Sequence, residues 1–191
     1  MAKAKSQKMA SAKKNYSEEI LCAGFGGQGI MFLGKLIARA GLAAGMHVTW
    51  MPSYGAEVRG GTAYSMTKIS NAEIASPIVS APDALIAMNE PSLFKYEAKL
   101  KPGGLLIVNR SLIKKAFKKK DARVLNIELT AIASRLGDLK CANMIALGAF
   151  VRRSKILSLK NVTEAMRDFL RGKEEMLLRN KLALDKGYKV K

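Results

Sequence analysis

The chain has 191 residues, 49% of them hydrophobic, and a formal net charge of +18 at neutral pH. That length fits one domain with a sizeable core, and Lys35, Arg39 or Arg152 interrupts the apolar runs well short of membrane-spanning length. Two distant cysteines, Cys22 and Cys141, form no C-x-x-C pair. This excludes the spacing of an iron–sulfur or zinc site and reads as reduced, structural thiols in a cytoplasmic protein.

Residues 1–15 carry Lys3, Lys5, Lys8, Lys13 and Lys14, with no acid before Glu18 and no apolar segment of the secretory kind. They read as a flexible basic extension. Residues 20–23 are the apolar run of a first strand, which stops at Gly24-Phe25-Gly26-Gly27-Gln28-Gly29. An apolar-periodic helix follows at once, over about residues 29–45. Gly24, Gly26 and Gly29 fit the G-x-G-x-x-G spacing in the strand-turn-helix context that gives it meaning. Glycine permits a tight turn and a close approach, and the free N–H groups of a helix start favour an anion. The turn suits a phosphate or another backbone, with a plain strand-to-helix connection as the structural alternative.

A second buried strand is expected over 46–51. It lacks the acid that a dinucleotide site places at the end of that strand to hold the ribose, since Glu57 comes only later. His47, the single histidine, has no Ser, Asp or Cys at a catalytic spacing and reads as structural. Pro52-Ser53-Tyr54-Gly55-Ala56-Glu57-Val58-Arg59-Gly60-Gly61 reads as a long loop. Its arginine can bind a carboxylate or phosphate with two parallel hydrogen bonds, or Glu57 and Arg59 hold the loop together.

Further strands are expected at 62–70, 84–88, 105–109 and 123–127. Asn89-Glu90-Pro91 opens a helix after the fourth, and Lys101-Pro102-Gly103-Gly104 turns into the fifth. Helical patterns follow at 131–136 and 144–151, where Asn143 can cap the helix or reach a partner. Asn161-Val162-Thr163-Glu164 reads as a capping box on a helix reaching about 170, and a last helix covers 174–184. Met31, Met51, Met66, Met88 and Met144 sit on apolar stretches as core filler. Alternating strands and helices predict an α/β fold: a mostly parallel sheet with helices on both faces, as one domain over 16–184 with a basic tail at 185–191.

A second basic cluster comprises Lys114, Lys115, Lys118, Lys119 and Lys120, and a third runs from Arg171 to Lys191. Aromatics make up 6% and do not alternate with these cations, so no stacking platform for single strands is visible. Solvated surface, or contact with an acidic partner or cofactor, accounts for the charge. No catalytic pair, metal cluster or nucleophile emerges. A ligand-ready loop without chemistry of its own suggests one part of a larger enzyme.

The glycine turn at 24–29, together with the segment from Pro52 to Thr62, resembles the gamma subunit of 2-oxoacid:ferredoxin oxidoreductases. The resemblance continues through Pro77, Asp83, Asn89 with Pro91, Gly103-Gly104, and Asn143-Met144 with Leu147-Gly148, over about residues 17–180. It implies a Rossmann-like three-layer domain in a cytoplasmic complex that oxidatively decarboxylates a 2-oxoacid to an acyl-CoA, carbon dioxide and reduced ferredoxin. Thiamine diphosphate is expected on alpha and beta subunits and iron–sulfur clusters on a ferredoxin-type delta subunit, with this chain non-catalytic. The form of the second segment points to 2-oxoglutarate or a branched-chain 2-oxoacid, with 2-oxoglutarate preferred.

The expected sites follow from both lines. Gly24, Phe25, Gly26, Gly27, Gln28, Gly29, Tyr54 and Arg59 would help to place coenzyme A. Pro52, Ser53, Gly55, Glu57, Gly60, Gly61 and Asn143 would meet another subunit. A free-standing NAD(P)-binding protein and a basic nucleic-acid-binding module are the competing readings.

Overall fold

The computed structural model describes residues 15–53, 62–154 and 156–190. Its strands are β1 (Ser17–Gly24), β2 (His47–Ser53), β3 (Ala63–Ser70), β4 (Ala84–Ala87), β5 (Leu105–Asn109) and β6 (Arg123–Ile127). The helices are α1 (Ile30–Ala43), α2 (Glu90–Tyr96), α3 (Leu129–Arg135), α4 (Ala142–Arg153), α5 (Leu159–Phe169) and α6 (Glu174–Tyr188).

The six strands form one sheet in the order β2-β3-β1-β4-β5-β6. β1, β4, β5 and β6 pair in parallel, whereas β3 runs antiparallel to both β1 and β2. The sheet is therefore mostly parallel, with one reversed strand between its first two. β4 and β5 are buried along their whole length, which explains why they read as unbroken apolar runs.

Alternate residues of the central strands feed two cores. Ile20, Cys22, Ile86 and Ile107 pack with α1, α3, α4, α5 and α6 on one face. Leu21, Ala23, Leu85, Leu106 and Val108 pack with Leu93, Tyr96 and Ile113 on the other. Among the described residues helices thus cover both faces, unequally: the second carries α2, the 3-10 turn after it and the connections around them.

Several boundaries move, each for a local reason. β1 begins at Ser17, because its polar start is paired: Glu19 lies opposite Lys68, with an ion pair at 3.0 Å. β2 runs through Pro52 and Ser53, which pair with Ser65 and Tyr64, so the expected loop starts later than Pro52. An edge strand tolerates the proline because its missing donor is not needed there. The capping box also lies earlier than expected. Ser158 accepts the Asn161 amide at 3.2 Å, and the Asn161 side chain accepts the Ser158 amide at 3.2 Å, so α5 starts at Leu159. α6 continues past Leu184 to Tyr188, with Gly187 buried against Ile145.

Candidate functional site

β1 leads through its helix to β2 on one side, while β4 leads through α2 to β5 on the other. The crevice above the carboxyl ends of β1 and β4 is therefore the topological switch point, the usual ligand site of an open α/β sheet. The glycine turn sits there. The Gln28 amide returns to the Phe25 carbonyl at 3.3 Å, and Gly27 takes φ 86° at the third position of the turn. Gly29 caps α1 in the left-handed region, at φ 70°, with no side chain bonded to the first-turn amides.

Other elements hold the turn. The Gln28 side chain accepts from the Phe25 amide at 2.7 Å and from the Asn89 side chain at 3.2 Å, and it donates to the Met88 carbonyl at 3.4 Å. Asn89 also caps α2 by accepting the Ser92 amide at 2.9 Å. Asn109, at the end of β5, donates to the same Met88 carbonyl at 3.1 Å and to the Thr130 hydroxyl at 2.9 Å. A row of amide side chains thus crosses the carboxyl ends of β1, β4 and β5. A Cβ on Gly24 would stand 2.6 Å from Gln28 Oε1, so the glycine is what lets this strut fit.

Asn143 approaches from α4. Its side chain does not cap the helix, whose N-cap is Cys141; it donates instead to the Gly29 carbonyl at 3.3 Å. That carbonyl also takes the Leu33 amide at 2.9 Å, filling both lone pairs.

Two cavities open beside the turn, and Gly27 and Lys140 line both. The larger, about 480 Å³, has Phe32, Phe169, Leu170 and Met176 as its apolar wall; its polar groups are Lys140, Lys173, Asn143 and Asn180, with one carboxylate, Asp138. Phe32 and Phe169 meet edge to face, with centroids 6.0 Å apart. The smaller, about 190 Å³, lies between Gln28, Met88, Thr130 and Leu139. Lys140 is set by the 3-10 turn Leu139–Cys141, which Asp138 caps by accepting the Lys140 amide at 2.9 Å. Cys141 lines the larger cavity, but its thiol donates to Asn180 Oδ1 at 3.6 Å, and burial, then Asp138, push its pKa up. Burial raises the Cys22 thiol further. Neither is an activated nucleophile.

The structure brings together the expected residues Gly24 to Gly29 and Asn143. Gly26 and Gly27 are exposed, and Phe25 is 40% exposed at the rim. Tyr54, Gly55, Glu57, Arg59, Gly60 and Gly61 lie outside the described residues. Sequence reasoning did not single out Lys140, Lys173, Asn180 or the Phe32–Phe169 pair, because no local pattern links positions this far apart. His47 begins β2, exposed and away from the turn.

A dinucleotide would also need an acid close to the turn. β3 separates β2 from β1, so the end of β2 lies two strand spacings, about 10 Å, from where a ribose would be held. β2 itself contains no acid. Among the described residues no group of three or more His, Cys, Asp or Glu could hold a metal, and no helix is long and apolar enough to cross a membrane.

Comparison with known proteins agrees with this geometry. Residues 19–190 match the family described as pyruvate ferredoxin/flavodoxin oxidoreductase. The KorC subunit of 2-oxoglutarate synthase from Methanocaldococcus jannaschii is 36% identical over 177 residues, covering 91% of this chain and 93% of that one. The VorA subunit of ketoisovalerate oxidoreductase from Methanothermobacter thermautotrophicus is 32% identical over 166 residues, 86% of this chain; the match spans only 34% of VorA, about a third of its length. Among solved structures, the gamma subunit of a keto/oxoacid ferredoxin oxidoreductase from Geobacter sulfurreducens superposes with a TM-score of 0.78 at 29% identity, over 90% of this chain and 96% of that one. The 2-oxoglutarate:ferredoxin oxidoreductase from Magnetococcus marinus, with 2-oxoglutarate, coenzyme A and succinyl-CoA bound, gives 0.82 at 26% identity, over 91% of this chain and 31% of its own.

Proposed function

The chain belongs to the pyruvate ferredoxin/flavodoxin oxidoreductase family, and from that membership we propose that it serves as the gamma subunit of a cytoplasmic 2-oxoacid:ferredoxin oxidoreductase. The complex would convert a 2-oxoacid and coenzyme A into acyl-CoA and carbon dioxide, passing the electrons to ferredoxin. Alpha and beta subunits would carry thiamine diphosphate, and a ferredoxin-type delta subunit the iron–sulfur clusters. The near full-length match to KorC favours 2-oxoglutarate as the substrate.

The observation that carries this reading is the glycine turn itself, set at the switch point and open to a groove that Lys140 and Lys173 rim. The chain's part is to bind and to position. Uncapped amides at the start of α1 and the ammonium groups of Lys140 and Lys173 suit the diphosphate of coenzyme A. The Phe32–Phe169 wall suits the less polar remainder of the molecule. Pro52, Ser53 and the segment beyond them, with Glu57 and Arg59, would meet a neighbouring subunit.

The test is a native pull-down of the tagged chain from cells grown without oxygen, followed by dye reduction with a panel of 2-oxoacids. Co-purification of thiamine- and cluster-bearing subunits, with turnover that needs both 2-oxoglutarate and coenzyme A, is the expected result. Recovery of the chain alone would overturn the reading. Within the complex, Gly26→Val should raise the KM for coenzyme A; normal assembly with an unchanged KM would remove the coenzyme role. Arg59→Glu should impair assembly or turnover, and retention of both would remove the contact.

A further inference from the structure

We infer that the face of the sheet carrying α2 and the 110–122 connection is an electrostatic docking surface for a carboxylate-rich protein. Seven lysines share this face: Lys95 and Lys99 from α2 and the 3-10 turn Glu97–Lys99, and Lys114, Lys115, Lys118, Lys119 and Lys120 from the connection. Three acids lie among them, and each is engaged. Glu90 pairs with Lys115 at 2.8 Å and Asp121 with Lys119 at 3.3 Å. Glu97 is buried and accepts the amides of Lys118 at 2.7 Å and Lys119 at 3.4 Å.

Glu97 makes this face more than a solvated charge run. A basic loop repels itself and would by default stay mobile. Here a buried carboxylate anchors the backbone of the loop, Ile113 is fully buried, and Phe117 packs on the second core. The frame is fixed, and its lysines are held on it: Lys114 donates to the Arg110 carbonyl at 3.0 Å, and Lys95 and Lys99 lie over the Tyr96 ring. Among the described residues no carboxylate comes within ion-pair distance of Lys95, Lys99, Lys114, Lys118 or Lys120. Like charges held this close raise the free energy of the lone chain, and an acidic partner would relieve it.

The two arginines of the region are engaged with backbone: Arg110 donates to the carbonyls of Lys115 at 3.3 Å and Lys114 at 3.5 Å, and Arg123 to that of Gly103 at 2.9 Å. Each guanidinium is tied to backbone through at least one nitrogen, and the other cations of the face are lysine ammonium groups. Phe117 turns inward, and Lys115 lies 5.9 Å over the exposed ring of Phe94, so no free aromatic ring stacks a base. With no ring free to stack a base on this face, and with Glu90 and Asp121 interrupting its positive charge, the surface fits carboxylates spaced along a protein rather than the unbroken charge of a nucleic-acid backbone.

Poly-L-glutamate is the probe, titrated into the full-length, isotope-labelled chain. Lys114→Glu/Lys118→Glu/Lys120→Glu should weaken binding by roughly tenfold, and Lys95→Glu/Lys99→Glu should weaken it similarly. Reversal of three exposed cations elsewhere, Arg171, Lys181 and Lys186, should change it by less than about twofold. Amide shifts should concentrate at 92–99 and 112–120. The inference is overturned if all triple reversals weaken binding equally, or if the shifts fall on residues 1–14. It is also overturned if duplex DNA binds this face more tightly than polyglutamate. It does not depend on the subunit assignment, which the pull-down tests separately.

Discussion

Asn143 on α4 donates a hydrogen bond of 3.3 Å to the carbonyl of Gly29, 114 residues earlier in the chain. A Cβ on Gly29 would overlap the same amide nitrogen, and Gly29 has φ 70°. The two residues are therefore fitted to each other. Asn143→Ala should cost about 1 kcal/mol for the lost bond. Gly29→Ala should cost about 3 kcal/mol, from left-handed strain plus the clash. The double variant should cost at least about 1 kcal/mol less than the sum, because the clash goes with the amide. Urea titration of the four proteins measures this, and strict additivity would show that the pair is not coupled.

Gly27 differs from its neighbours in a useful way. It has φ 86°, but a Cβ added there meets nothing within 4 Å, and the position lines both cavities. Gly27→Ala should fold with a loss of about 1 kcal/mol from backbone strain alone. Its methyl group projects into the space where a ligand or partner would lie. In the assembled complex it should raise the KM for coenzyme A several-fold at an unchanged melting profile of the cofactor-bearing subunits. A KM equal to that of the parent complex would mean that the coenzyme does not pass over the turn.

Lys140 and Lys173 rim the larger cavity on different elements, so their charges converge only in the fold. Lys140→Met/Lys173→Met should weaken coenzyme A roughly tenfold while leaving the KM for the 2-oxoacid alone, since the loss is confined to anion binding. Desulfo-coenzyme A, used as an inhibitor, provides the check. Equal inhibition of parent and variant would place the phosphates elsewhere.

The glycine turn, the six strands and most helices were legible because each is a local pattern: apolar period, glycine cluster, proline near a helix start. Strand direction was not. The alternation in β3 is the same whichever way it runs, and only pairing with β1 and β2 reverses it. The amide row of Gln28, Asn89 and Asn109 was equally hidden, since those residues stand about 60 and 20 positions apart. Asn143 drew notice at a helix start, where a cap is the local expectation. Its bond to Gly29 is tertiary, and an N-cap already exists at Cys141. What the sequence conceals here is contact between distant polar groups, and such contacts shape the site.

α4 and α6 cross on glycines from both sides. A Cβ on Gly148 would overlap the Leu184 carbonyl, and one on Gly187 would overlap the Ile145 carbonyl. Backbone cannot yield as a side-chain tip can, so either alanine must push the helices apart. Gly148→Ala or Gly187→Ala should destabilise the chain by about 3 kcal/mol, loosening α6 and with it Asn180 at the cavity. Hydrogen exchange of α6 amides reads this directly. Protection unchanged in both variants would show that the crossing has slack.

At the opposite end of the sheet Glu18 gives a pH dependence whose sign is determined. It is half-buried and accepts the Ser154 hydroxyl at 2.7 Å; Asp83, Arg123, Arg153 and Tyr16 share the same cavity. Its carboxyl is held above the usual range, chiefly by burial; Asp83 adds to this, while the Ser154 hydrogen bond and Arg123 oppose it. A raised acid binds more protons folded than unfolded, so its contribution to stability falls as pH rises from about 4.3 to the folded pKa, then stays level. Glu18→Gln keeps an acceptor for Ser154 and removes the charge. The variant should melt roughly 2 °C above the parent near pH 8, with the difference shrinking as pH falls through the carboxylate range. Melting curves of both proteins between about pH 4.5 and 8.5 decide it. A difference independent of pH would mean that Glu18 titrates normally, with its charge fully solvated in the folded chain.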